Sequence, residues 1–136
     1  MDFSLTLKPG LRAEKSQIVT DKITAAAVGS GGLAVFSTPS MILFMELTAL
    51  SAVAPLLPEG WSTVGTHLDV KHLAATPVGM EVRCEAELLE VDGRRLHFRV
   101  DAFDCAGKIG EGTHERFIVE NERFMQKVNE KIHKCC

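Results

Sequence analysis

Three polar side chains stand where the sequence is otherwise apolar, and their types are those of acid, base and hydroxyl chemistry. Glu46 lies inside the run "MILFMELTALSAVA", and its helical neighbours three and four residues away are Ile42, Leu43, Ala49 and Leu50, none of them a cation. A carboxylate so placed must find a partner from elsewhere in the chain or shift its pKa upward, because an uncompensated buried charge is too costly. Carboxylates of this kind concentrate at functional sites. The second residue is a histidine of "VGTHLDVKHLAATPVG". Read as a strand, that stretch puts Val64, Thr66, Leu68, Val70 and His72 on one face and Gly65, His67, Asp69 and Lys71 on the other. His67 then goes to the wetter face, and His72 ends an apolar row aimed at the core. Thr38 is the third. It precedes Pro39, the pattern of a threonine N-cap with proline at the first helical position. Its hydroxyl would sit beside the free N–H groups of a helix start, which can hold an oxyanion.

The elements that must position these groups are legible in outline. "FSLTL" and "SQIVT" read as strands separated by a turn at Pro9-Gly10. "DKITAAAV" reads as a short helix stopped by the glycines of "GSGG", a loop or lid. The long helix that starts at Thr38 runs to a stop at Pro55 and is apolar on every face, so it predicts burial nearly all round. A sheet must wrap it. In "VRCEAELL" Val82, Cys84, Ala86 and Leu88 alternate with charged residues, and after the turn Asp92-Gly93 so do Leu96, Phe98, Val100 and Ala102; this is a hairpin with one face in the core. "IGEGTHERFIVE" is a further strand whose glycines suggest a bend or bulge, and the tail predicts a helix over about 121–134. The order predicts an α+β fold, a curved antiparallel sheet of six strands wrapped around one central helix.

Composition bounds the partners. The 136 residues, 46% hydrophobic and 24% charged, suit a single globular domain spanning 1–136. A net charge of −3 offers no basic field for nucleic acid. No run reaches the roughly 18 consecutive apolar residues of a membrane span, and the start lacks a signal-peptide pattern, so a cytoplasmic protein is expected. The four cysteines show no zinc spacing; Cys84 and Cys105 read as thiols and the terminal pair Cys135 and Cys136 as incidental. Alternating Arg95, His97 and Arg99 read as a solvated sheet face; His114 shares parity with Arg116, which allows a place near the site, and a structural role is the favoured reading.

The segments "HLAATPVGMEV", "VDGRRLHFRVDAFD" and "IGEGTHERF" resemble those of the fluoroacetyl-CoA thioesterase family within the hotdog superfamily, over about Val35 to Asn121. The resemblance implies a hotdog fold and hydrolysis of an acyl-CoA thioester in which Thr38, Glu46 and His72 act together, with Glu46 attacking the carbonyl or activating water, Thr38 positioning it and His72 as acid/base. It implies further that Gly65 lies near the acyl pocket and that Arg116, the arginine of "GTHER", contacts substrate. Lys71 and Arg94 are further candidates for the CoA phosphates, and Phe36 for the acyl pocket. Residues 24–36, "TAAAVGSGGLAVF", depart from the aromatic-bearing lid of the fluoroacetate-selective enzyme, which predicts a broader short-chain acyl-CoA substrate. No metal and no cofactor are expected, CoA being part of the substrate, and a homodimer is expected to cover the sheet edges. The alternatives are a non-catalytic acyl-CoA or small-ligand binding protein, and a hydratase of the same fold, which the Thr38, Glu46, His72 order disfavours.

Overall fold

A computed structural model describes residues 2–135. Five strands, β1 (Arg12–Ile18), β2 (Trp61–His72), β3 (Glu81–Asp92), β4 (Arg95–Asp104) and β5 (Gly107–Glu120), form one antiparallel sheet in the order β1-β3-β4-β5-β2. The sheet curves around the long helix α2 (Thr38–Val53), which a 3₁₀ turn, Ala54–Leu56, extends at Pro55. A short helix, α1 (Ala25–Val28), precedes it, and two helices, α3 (Asn121–Asn129) and α4 (Lys131–Cys135), stand where one was expected. Cys136, half of the terminal cysteine pair, lies outside the described residues.

The alternation read in the hairpin is the core. Val82, Cys84, Ala86 and Leu88 of β3 and Leu96, Phe98, Val100 and Ala102 of β4 are buried in one cluster with Met41, Phe44, Met45, Ala49 and Val53 of α2. Burial pushes the Cys84 thiol up to about 11, which leaves it an inert core residue.

Three expectations are corrected. The sheet has five strands rather than six, because Phe3–Leu5 is a 3₁₀ turn: the Asp2 side chain accepts from the Ser4 N–H, and the Phe3 ring packs edge-on against Trp61 at 5.3 Å. The helix expected over "DKITAAAV" breaks at Thr24, whose hydroxyl accepts from the Ala27 N–H and caps α1. The long helix is not buried all round. Its Leu43 is 55% and its Leu47 44% exposed, with Ile42, Glu46 and Leu50 partly exposed along the same side. By length and composition Thr38–Leu56 could cross a membrane; here its other face carries the core. The bulge suggested by the glycines of β5 is present against β4, where Ile109, beside Gly110, is the extra residue opposite Ala102 and Phe103. A Cβ on Gly110 would meet the Met41 side chain and one on Gly112 the Asp69 carbonyl, so both serve close approach. A second bulge, on the β2–β5 pair, falls in β2 between Gly65 and His67.

Candidate active site

The first turn of α2 carries one cluster. Ser37, not Thr38, is its N-cap: the Ser37 hydroxyl accepts from the Ser40 N–H at 3.1 Å, and Thr38 and Pro39 follow inside the helix. This corrects the cap and releases the Thr38 hydroxyl, which lies 2.7 Å from His72 Nδ1. His72 ends β2 on the face of Leu68 and Val70, as the alternation predicts. Its Nε2 is buried and has no hydrogen-bond partner among the described residues. Desolvation lowers its pKa, with the backbone at Ala74 opposing, so the ring is a neutral base at pH 7. The buried Phe36 presents its ring edge-on to the imidazole, 6.4 Å between centroids. Phe36, Thr38 and His72, with Ala25, Ala74 and Ala75, line an open cleft of about 310 Å³.

Glu46 belongs to a second cluster. It lies eight residues further along α2, a rise of about 12 Å at 1.5 Å per residue. Its distant cation is Arg116, whose Nη1 stands 3.7 Å from Glu46 Oε2; the arginine side chain is 7% exposed and the glutamate 33%. Arg116 is fixed on its other edges, donating from Nε to Thr63 Oγ1 at 2.7 Å and from Nη2 to the Thr63 carbonyl at 3.0 Å. Burial lowers the arginine pKa while Glu46 raises it.

Gly65 explains how the carboxylate reaches that spot. A Cβ there would lie 2.7 Å from Glu46 Oε2, 3.3 Å from His114 Cε1 and 3.5 Å from Arg116 Nη1. The bulge at Thr66 also overturns the simple parity of β2. Gly65 and His72, expected on opposite faces, both face the helix, because the extra residue resets the alternation between them.

Sequence reasoning favoured a structural role for His114 while its parity with Arg116 left a place near the site open, and it joins this cluster. It is fully buried, stacked on Phe98 at 6.2 Å, with Nδ1 2.8 Å from the His67 carbonyl and Nε2 3.2 Å from Arg116 Nη1. The signal was its spacing of two from Arg116 on one strand. The remaining cations are elsewhere. Lys71 is exposed and lines a groove with Asp69, Arg99 and Lys108 on the outer side of the sheet. Arg94 lies over the Trp61 ring at 5.0 Å. Among the described residues, no three His, Cys, Asp or Glu converge as a metal site. A single chain thus unites Phe36, Thr38 and His72, and separately Glu46, Gly65 and Arg116.

An antiparallel sheet wrapped on one helix, with polar groups on the inner face, is the hotdog fold of the thioesterase superfamily. A Thermus thermophilus member of that superfamily superposes with a TM-score of 0.83 at 29% identity over 93% of this chain and 96% of its own. The structure of the fluoroacetyl-CoA thioesterase FlK superposes with a TM-score of 0.86 at 37% identity, covering 92% of this chain and 97% of that one. The fluoroacetyl-CoA thioesterase of Streptantibioticus cattleyicolor is 46% identical over 97 residues, 71% of this chain and 70% of the relative. Residues 19–122 match the family model described as fluoroacetyl-CoA-specific thioesterase, and the chain belongs to that family.

Proposed function

We propose that the protein hydrolyses a short-chain acyl-CoA to the free acid and CoA, with Thr38, Glu46 and His72 as its catalytic residues. The observation that carries the reading is the 2.7 Å contact between Thr38 Oγ1 and a His72 ring that has its other nitrogen unpaired beside a cleft. His72 exchanges a proton with the reacting groups, and Thr38 orients the ring and the thioester oxygen. Glu46 either attacks the carbonyl carbon, giving an anhydride that water then hydrolyses, or takes a proton from the water that attacks; in both routes the C–S bond breaks and the thiolate leaves as CoA thiol with a proton relayed through His72. Arg116 holds the Glu46 carboxylate rather than a CoA phosphate. The cleft wall contains Ala25, Ser30, Ala74 and Ala75, and Phe36 is its aromatic, which suits small acyl groups in general rather than a fluorinated one alone. The reaction needs no cofactor beyond the CoA of its substrate.

The 12 Å between the clusters gives the oligomer a catalytic role. A homodimer that packs the apolar stripe of Leu43 and Leu47 against a second copy brings Glu46 of one protomer to the Thr38–His72 cleft of its partner. The end position of β2 in the sheet offers an unpaired edge for the same contact. We place this dimer in the cytoplasm.

The test is release of free thiol from acetyl-, fluoroacetyl-, butyryl- and phenylacetyl-CoA, with Glu46→Gln as control. Release that disappears in the control is the expected result; no release from any of the four removes the hydrolase reading and leaves a ligand-binding protein. Mixing Glu46→Gln subunits with Thr38→Ala/His72→Ala subunits tests the shared site. Half of the dimers are then mixed, each with one intact site, so about a quarter of wild-type activity returns; if each site is built by one chain, none returns.

A further inference from the structure

We propose that His114 is a positioning residue for this enzyme: it accepts a hydrogen bond from Arg116, and so aims the guanidinium that holds the Glu46 carboxylate over Gly65. The proposal rests on the catalytic role given to Glu46 above.

The geometry assigns the protons. His114 Nδ1 lies 2.8 Å from a carbonyl oxygen, that of His67, and a carbonyl only accepts, so Nδ1 carries the hydrogen. Nε2 lies 3.2 Å from Arg116 Nη1, and a guanidinium only donates, so Nε2 carries the lone pair. The ring is therefore neutral and in one tautomer. Protonating Nε2 would set two donors against each other beside a buried cation. The charged or titratable groups facing the ring are Arg116 on its own strand, Glu46 from α2 and His67 from β2; Phe98 of β4, which stacks on it, carries no charge. Burial, the largest influence, lowers the His114 pKa, the His67 carbonyl and Glu46 raise it, and Arg116 and His67 lower it, for a net lowering.

The consequence for Glu46 comes from the planarity of arginine. Nε and Nη2 are used by Thr63, which leaves Nη1 and its two hydrogens. One is donated to His114 Nε2, and Nη1 itself stands 3.7 Å from Glu46 Oε2; the Thr63 bonds set the guanidinium plane and the imidazole holds its Nη1 end. Without the imidazole, Nη1 keeps its charge and loses its acceptor, and the Thr63 bonds alone hold the guanidinium against Glu46. A leucine would fill this core position, but neither ring nitrogen is idle, and both bonds end on residues that shape the Glu46 site: Arg116 and the β2 bulge.

Two isosteric variants separate positioning from packing. Asparagine places an amide near Nδ1 and keeps the bond to His67, with nothing that reaches Arg116. Glutamine reaches the position of Nε2 with a carbonyl acceptor. His114→Asn is expected to lower kcat about 10- to 100-fold, the scale of a misaligned catalytic group, with KM changed less than about twofold. His114→Gln is expected to return kcat to within about threefold of wild type, and His114→Asn to cost nothing further in the Glu46→Gln background, because the two act through one network. An equal loss in both variants, wild-type turnover in His114→Asn, or effects that multiply with Glu46→Gln would overturn the proposal. Imidazole ¹⁵N shifts of the unmutated protein test it independently of variant folding and of activity. A neutral Nδ1–H ring between pH 6 and 8 is expected, and an Nε2–H or cationic ring overturns it. Should no acyl-CoA be hydrolysed, the hydrolase reading fails and these shifts alone decide the hydrogen-bond assignment.

Discussion

At the first turn of α2, one hydrogen bond ties Thr38 to His72, and the ring's second nitrogen has no partner among the described residues, beside an open cleft. Two turns further on, Arg116 makes three hydrogen bonds and an ion pair, His114 makes two hydrogen bonds and a stack, and Gly65 leaves room for the Glu46 carboxylate. Both sites grow from one helix, and each suits a different task. A group that gives and takes protons needs an unfilled valence and room for substrate. A carboxylate that attacks, or takes a proton from water, needs a fixed direction, which redundant bonding supplies. The crowded end is therefore expected to be sensitive to shape as well as to charge, and the open end to chemistry alone.

The largest effect tests chemistry at the crowded end. Glu46→Gln keeps volume and removes charge, and turnover is expected to fall about 10³-fold or more with the melting temperature little changed. A fall below tenfold would make Glu46 an accessory to the open cluster. Next is shape. Gly65→Ala adds one methyl at 2.7 Å from Glu46 Oε2, and the carboxylate must swing away; kcat is expected to drop about 100-fold with unchanged far-ultraviolet circular dichroism. Retained activity would show that Glu46 works from another position than over Gly65.

The pH dependence separates the ends less sharply but in a fixed direction. His72 and His114 both have pKa values lowered from 6.5 by burial. Each takes up a proton more readily unfolded than folded, so the stability they contribute is complete above about 6.5 and declines as pH falls from there toward their folded values. Thermal unfolding is expected to show a melting temperature that falls by a few degrees between pH 7.5 and 5.5, and a shallower fall in His114→Gln. A flat profile over that window would mean that neither ring is desolvated. Because a neutral His72 is the working base, kcat/KM is expected to lose activity on the acid side below the ordinary histidine value.

Much of this could be read from the residues. Glu46 stood out because a carboxylate in an apolar helix with no local cation needs an answer, and the answer is Arg116 from the far strand. His72 stood out by parity, and the hairpin core by its alternation. What escaped the reading has physical causes. Ser37 and Thr38 are both able to cap, and proline fits the first turn after either, so the spacing did not separate them. An exposed leucine such as Leu43 is spelled like a core leucine; only the sheet's single coverage of α2 tells them apart. "FSLTL" alternates like a strand, yet Phe3 is buried by Trp61, which is 58 residues away in the sequence. The bulge at Thr66 has only Gly65 as a marker in "VGTHLDV", a residue the alternation accommodates without one, and it alone decides that Gly65 and His72 look the same way. For His114 the parity with Arg116 allowed a place near the site, but its bonding was not legible: its partners are a backbone carbonyl and an arginine, which no pattern of residue types records.

The smallest effect expected is also the one that isolates the bulge. His67 carries an exposed side chain, and what the site takes from it is its carbonyl oxygen, which every residue has. His67→Ala is therefore expected to keep activity within about twofold, while His72→Ala, five residues on, costs about 100-fold or more. The pair measures the backbone path rather than the chemistry of histidine. A tenfold loss in His67→Ala would place that ring in the site and make the strand's alternation run unbroken through Thr66. Near-silence at His67 together with a large loss in Gly65→Ala requires a reset between them, because in an unbroken strand Gly65 and His67 would share one face.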